Sequence, residues 1–383
     1  MDAWLSCQPC VQACTLNPGD LSSHRLAGGD FFMCGITSSG DVKCWGANNG
    51  GQLGDGADGG HSAPGLVPGL SGVVSLAAGA SHACALTAAG GVKCWGYNAS
   101  GQLGDRSTTD RHTPVDVVGL TSGVRAIAAG VFHTCAITAA GGLKCWGGNS
   151  AGQLGDRTSN NYAVEPEDVY GLQANVAAVS AGQDHTCAVM IDGSVKCWGS
   201  GQYGQTGTSS MATAPLTVIG VSGAIALSAG WHHTCALLQG GEVKCWGANW
   251  AAQLGRGFAD SLGVYPVPAT VAGLASGAGW ITSGLAHTCV TMNDGTTQCW
   301  GWANFGQLGV GLADAGTVSP PLFVGRPMVA GPDPWSVGLA AGARHGCAFA
   351  PGPKLQCWGH NFEGEVGDGT KVLRPFPVTI SGF

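Results

Sequence analysis

Charge is scarce in this sequence: Asp, Glu, Lys and Arg together make up 10% of 383 residues, and only 16 are basic. With a net charge of −7 and no cluster of Lys or Arg, the chain lacks the means to neutralise a run of phosphates, which excludes nucleic acid and anionic membrane surfaces as partners. No apolar run approaches the roughly 18 residues of a membrane-spanning helix, so membrane insertion is not expected. The first ten residues, MDAWLSCQPC, show neither the basic nor the apolar stretch of a secretory leader. Glutamate is rarer still, with five in the chain, and no Ser-His-Asp set, paired carboxylates or glycine-rich phosphate loop stands in a confirming context. The chain is therefore expected not to be an enzyme and to need no cofactor. What is abundant is glycine, 67 residues, within a composition that is 44% hydrophobic, the mark of a turn-rich β protein.

The segment Cys-Trp-Gly occurs seven times, at Cys44, Cys94, Cys145, Cys197, Cys245, Cys299 and Cys357, at intervals of 48 to 58 residues. That period suits one four-stranded propeller blade. The third copy shows the parts: VRAIAAG, HTCAIT, LKCWG, the loop GNSAGQLGD, and EPEDVYGL, read as three strands, a long loop and an outer strand. The expected fold is all-β, a seven-bladed β-propeller of four-stranded antiparallel blades over residues 23–383, preceded by a cysteine-containing tail, 1–22. The tract PFPVTISGF supplies the seventh outer strand, so no strand exchange between the termini is needed, and the tail is free to act as a latch.

Ten residues before each of these cysteines stands another, giving Cys34/Cys44, Cys84/Cys94, Cys135/Cys145, Cys187/Cys197, Cys235/Cys245, Cys289/Cys299 and Cys347/Cys357. Glycine follows the first cysteine by six residues in six copies (Gly40, Gly90, Gly141, Gly193, Gly241, Gly295), where a three-residue hairpin needs a left-handed residue. Such a loop sets the two cysteines opposite each other at a Cα separation of roughly 4.5 to 5.5 Å, within reach of a disulfide. One bridge per blade is the reading; thiols buried as small apolar groups are the alternative. The seventh hairpin, PGP at 351–353, lacks the glycine. Zinc wants four ligands in one tetrahedron, which pairs in separate blades do not supply. Cys7, Cys10 and Cys14 leave one cysteine over if two of them pair.

The string HTCALT…VKCWG.N..GQLGDG resembles the repeat of the regulator of chromosome condensation family, with cysteines at two apolar positions, over residues from about 24 to 383. The resemblance implies a seven-bladed propeller and a range of roles: nuclear exchange factors for a small GTPase, a plant light receptor, and secreted bacterial inhibitors. The cysteine ladder is unsuited to a reducing compartment, which points to an extracellular or cell-surface protein. Light sensing in the family uses Gly-Trp-Arg-His-Thr segments, and here only Gly230-Trp231-His232-His233-Thr234 comes near.

Within the repeat, glycine stands five residues before each first cysteine (Gly29, Gly79, Gly130, Gly182, Gly230, Gly284, Gly342), and the next two positions differ in every blade. They read Asp30-Phe31, Ala80-Ser81, Val131-Phe132, Gln183-Asp184, Trp231-His232, Leu285-Ala286 and Ala343-Arg344, and should emerge on one end of the wheel beside the long loops carrying Tyr97, Tyr203, Trp250, Trp302, Phe305 and Phe362. Aromatic residues and Arg anchor protein interfaces. The candidate partner-binding residues are Phe31, Phe132, Trp231, His232, Trp250, Leu285, Trp302, Phe305, Arg344 and Phe362, centred on blades five and six. The partner is expected to be a protein or assembly neighbour; a glycan bound by aromatic and Asp/Asn loops is the alternative. His82, His133, His185, His233, His287 and His345 are too far apart to share a metal and are expected to brace turns through backbone bonds. Asn48, Asn98, Asn149, Asn249 and Asn361 are expected to close turns, although Asn98-Ala99-Ser100 is also a glycosylation sequon. Asp55, Asp105 and Asp156 are weak calcium candidates. The inner tracts LAAG, IAAG, VSAG and LSAG should present small residues to the axis, with Trp280 the one bulky intruder.

Overall fold

A computed structural model describes residues 25–312, 317–323, 338–350 and 354–383. The cysteine tail with Cys7, Cys10 and Cys14, and the PGP hairpin, lie outside the described residues. The rest forms seven sheets, each of four antiparallel strands in chain order, so the protein is an all-β seven-bladed propeller. In blade three the strands are Val124–Ala129, His133–Thr138, Leu143–Gly148 and Tyr162–Asp168, here called A to D from the axis outward. Strand D thus starts earlier than EPEDVYGL suggested, and Val169 to Leu172 turn back, the Leu172 N–H bonding the Val169 carbonyl at 3.1 Å.

The hairpin glycines explain the cysteine geometry. Gly40, Gly90, Gly141, Gly193, Gly241 and Gly295 all have φ between 75° and 86°, a conformation a Cβ disfavours. In blade three the Thr138 N–H meets the Gly142 carbonyl at 2.8 Å, making that pair hydrogen-bonded. Pairs alternate along an antiparallel ladder, so Cys135 and Cys145, three steps on, face each other at a non-hydrogen-bonded site where side chains are closest. All seven expected disulfides are formed in this register, Cys34–Cys44, Cys84–Cys94, Cys135–Cys145, Cys187–Cys197, Cys235–Cys245, Cys289–Cys299 and Cys347–Cys357. Their Cα atoms lie 4.1 Å apart, tighter than the spacing expected of facing residues, because the bridges sit at the narrow sites of the ladder.

The core lies between blades. Trp95 of blade two packs with Phe32, Cys34 and Leu53 of blade one, and the pattern repeats around the wheel. Each framework tryptophan is at most 1% exposed, and its indole N–H reaches back to a loop carbonyl of the preceding blade. Trp146 donates to the Gln102 carbonyl and Trp198 to that of Gln153, both at 2.9 Å. Trp45 of blade one closes the circle on Glu365 of blade seven at 2.9 Å. Blades one and seven each own all four strands, as the chain order anticipated.

Every outer strand carries proline: Pro64, Pro114, Pro166, Pro215, Pro266, Pro320 and Pro375 all fall inside strand D. Proline offers no N–H to a further strand, so it belongs at a sheet edge and blunts that edge against pairing.

Candidate functional site

The A-to-B and C-to-D loops meet at one end of the wheel, and three nested features build that end. The innermost is a ring of the seven repeat glycines. A Cβ on Gly79 would lie 2.2 Å from the His82 ring and 2.3 Å from the Gly130 carbonyl oxygen; one on Gly342 would lie 2.6 Å from the Gly29 oxygen. Close approach, with no need for positive φ, is what demands glycine here. The residues that follow join blade to blade by backbone bonds at 3.0 to 3.4 Å, from Asp30 to Ala80, Trp231 to Leu285 and Leu285 to Ala343, until Ala343 returns to Gly29.

The second feature is a side-chain relay between blades. His82, His133, His185 and His233 approach Thr134, Thr186, Thr234 and Thr288 of the next blade at 2.8 to 2.9 Å. Thr134 spends its only hydroxyl hydrogen on the Gln102 carbonyl, so the His82 Nε2 must be the donor between them. This corrects the expectation of backbone partners: the histidines brace blade against blade. Burial, reinforced by the neighbouring histidines, pushes His82, His233 and His287 down to about 3, and burial takes His133 to about 4. They are neutral imidazoles. The relay lapses at three junctions: by repeat position Phe32 replaces the histidine of blade one and Ala83 the threonine of blade two, while Gly346 and Met33 occupy the threonine positions of the blades that follow His287 and His345. With glycine at position 346 the buried His287 Nε2 is left without a partner.

The loops themselves are closed by asparagine. Asn98 Oδ1 accepts the Leu103 N–H at 3.0 Å while its Nδ2 donates to the Ser107 and Thr109 carbonyls at 3.1 Å. Asn98 is fully buried and its amide is spent, so the sequon is not an accessible glycan acceptor. Asp105 holds Arg111 at 2.7 Å and Asp55 holds His61 at 2.5 Å, which occupies the calcium candidates with protein partners. No cluster of three or more metal-ligating side chains occurs among the described residues.

The third feature is the aromatic surface. Trp250 and Trp302 have ring centroids 6.2 Å apart, Trp302 and Phe305 5.5 Å, Phe305 and His360 5.1 Å, and His360 and Phe362 4.6 Å. Phe31 joins through His360 at 5.5 Å. The arc spans blades five, six, seven and one, further round the wheel than sequence alone suggested. Trp231 and His232 extend it toward Tyr203 of blade four, whose ring lies 4.5 Å from that of His232. Leu285, 6% exposed, lies beneath the arc in a cluster with Ala251, Ala286 and Ala343. Phe132, on blade three, is 41% exposed and makes no ring contact with the others. The guanidinium of Arg344 lies 5.2 to 5.8 Å from the ring centres of Phe31, Trp302 and Phe305.

Sequence reasoning passed over His360 and Glu365. The carboxylate stands where the other six loops have Gln52, Gln102, Gln153, Gln205, Gln253 and Gln307, is fully buried, and takes a short hydrogen bond from His360. The one departure from glutamine at this position was the signal. That bond to His360 and the charges of His345 and His360 outweigh burial and hold the Glu365 carboxyl below its ordinary range.

The axial channel encloses about 200 Å³ between the A strands. Its wall is more aliphatic than the LAAG tracts suggested, since Leu26, Leu76, Ile127, Val179 and Leu227 line it with Trp280, and Trp231 stands at the mouth. Asp30 is the one ionisable residue of this lining. Burial raises its carboxyl to about 6 against the opposing pull of Arg344.

A closed wheel with seven stapled blades and an aromatic end defines a repeat scaffold that displays variable loops. The comparisons specify the lineage: residues 8–329 match the RCC1-like domain, and the chain belongs to that family. It is 32% identical over 266 residues to the ultraviolet-B receptor UVR8 of Arabidopsis thaliana, covering 68% of this chain and 58% of the receptor. It is 30% identical over 266 residues to the human E3 ubiquitin-protein ligase HERC2, covering 67% of this chain and 5% of the ligase. The chain thus spans less than two thirds of the length of these curated relatives. In fold it is similar to Prp20p of Saccharomyces cerevisiae, with a TM-score of 0.79 at 22% identity over 96% of this chain and 90% of that one.

Proposed function

We propose that the protein is an extracytoplasmic, non-enzymatic binding module whose protein partner docks on the loop end of the wheel, across blades five, six, seven and one. The observation that carries this reading is the continuous run of rings from Trp250 through Trp302, Phe305 and His360 to Phe31 and Phe362. Large rings on a rigid frame anchor an interface at low entropic cost, and contiguous half-buried aromatics with a polar surround mark contact sites. The relative Prp20p is described by its binding to Gsp1p and histones, which makes partner binding a precedent for this scaffold. The location rests on the disulfides: seven bridges persist in an oxidising compartment and are rare in a reducing one.

The test is capture from the culture medium and surface fraction of the producing cells, with bound proteins identified by mass spectrometry. A Trp302→Ala/Phe305→Ala double variant should lose the partner, while Phe376→Ala, on the outer rim, should retain it. Equal capture by the double variant would refute this docking face. Binding to a glycan array that the same double variant abolishes would turn the reading to carbohydrate.

A further inference from the structure

Two opposite charges stand at the channel mouth without satisfying one another. Asp30 lies on the channel lining of blade one, its N–H bonded to the Ala80 carbonyl at 3.1 Å, and its carboxyl forms no hydrogen bond or ion pair among the described residues. Arg344, on the adjoining blade seven, is near enough to draw the Asp30 carboxyl toward its charged form, yet no ion pair joins them. Its guanidinium is held instead among Phe31, Trp302 and Phe305, and its Nε is buried without a hydrogen-bond partner. A third polar group is idle on the same lining, the buried Ser283 Oγ. Buried polar groups are nearly always partnered, and a carboxylate on the lining and a guanidinium just outside it, brought side by side where the Ala343 N–H bonds the Gly29 carbonyl at 3.0 Å, are costly unless something completes them.

We propose that the channel mouth binds a small zwitterion of the α-amino-acid type, its ammonium on Asp30, its carboxylate on Arg344, and its side chain against Trp231 at the mouth. A planar guanidinium matches a carboxylate with two parallel N–H donors, and charge-assisted bonds of this kind are the stronger ones. A ligand with a single charge would satisfy one group and be repelled by, or leave bare, the other. The channel volume of about 200 Å³ suits a ligand of this size. Ionised Asp30 is the binding form, and Arg344 is the one charged group shown to act on it, so affinity should rise with pH through about 6.

The site shares Arg344 with the aromatic end, where Phe31, Trp302 and Phe305 surround its guanidinium, while Asp30 lies outside the aromatic docking set. The experiment is calorimetric titration of the oxidised full chain at neutral pH with phenylalanine and glycine, and with phenethylamine and 3-phenylpropionate as single-charge controls. Phenylalanine should bind, the controls at least about tenfold more weakly, and Asp30→Asn and Arg344→Gln should each weaken phenylalanine by about tenfold or more. No binding of either amino acid at tens of millimolar, or equal binding of the controls, would overturn the site. An Asp30→Asn chain that loses the titration but keeps its partner would separate the two functions.

Discussion

The indole N–H of Trp45 donates to the main-chain carbonyl of Glu365 at 2.9 Å, joining the first blade to the last. It repeats the contact that Trp95 makes with Gln52 and Trp146 with Gln102 inside the wheel, so the seam keeps the indole contact of the other junctions. Trp45→Phe should leave that carbonyl buried without its indole donor and cost about 1–3 kcal/mol. Trp146→Phe should cost a similar amount by denaturant midpoint, whereas a much larger loss at Trp45 would mark the seam as the weak joint.

Thr186 stands between His133 and the Gln153 carbonyl, at 2.8 Å from each. Thr186→Val removes the relay at constant shape and strands the buried His133 N–H, while the Gln153 carbonyl keeps the Trp198 indole, so unfolding should become easier by about 1–3 kcal/mol. Ala83→Thr at the phenylalanine junction has no histidine to meet and should bring no gain. Equal effects of the two substitutions would show that the relay contributes nothing.

Removing one bridge, as in Cys135→Ala/Cys145→Ala, opens a loop of about ten residues, and the chain-entropy account gives about 2–3 kcal/mol for such a loop. The wheel should survive, because the blade-to-blade tryptophans and the core do not depend on the bridge. Circular dichroism of the variant should be unchanged, its melting temperature lower, and peptide mapping of the parent without reductant should return all seven pairs.

Stability should fall as the solution is acidified below about pH 6.5. In the folded wheel the buried histidines are held down, with His82 near 3 and His133 near 4, while the unfolded chain takes up protons near 6.5. The unfolded state binds more protons across that window, so the stability present at neutral pH is lost toward the folded values. Asp30 acts with the opposite sign. Its raised folded value, about 6 against 3.8, means stability falls as pH rises between them, and Asp30→Asn should stabilise the free protein at neutral pH by up to about 3 kcal/mol. That gain should vanish below about pH 4; a gain that persists there would contradict the assignment to ionisation.

Much of this was written locally in the chain. The ten-residue cysteine spacing and the glycine at Gly141 and its equivalents fix a hairpin and its register together, and so the bridges. The variable residues after each repeat glycine, Asp30-Phe31 to Ala343-Arg344, marked the loop end for the same reason: position in the repeat determines which end a side chain joins. What escaped depended on the neighbouring blade. That His133 bonds Thr186 requires the packing of two sheets, and the sequence offered it only as a recurring His-Thr pair. The sharing of Arg344 among three rings depends on blades six, seven and one coming together, whereas the meeting of His360 with Glu365 lies within one loop and was marked only by glutamate in a glutamine position.

A proline in every outer strand has a further consequence for how copies of this wheel can assemble. Two wheels could lengthen into a fibre side by side by zipping rim strands together, or stack through their flat ends. With Pro166 and its six counterparts on the rim, the first route meets a gap in the donor ladder of every outer strand. Axial stacking is then favoured over lateral zipping, so crowding would order these proteins as columns and not as rafts.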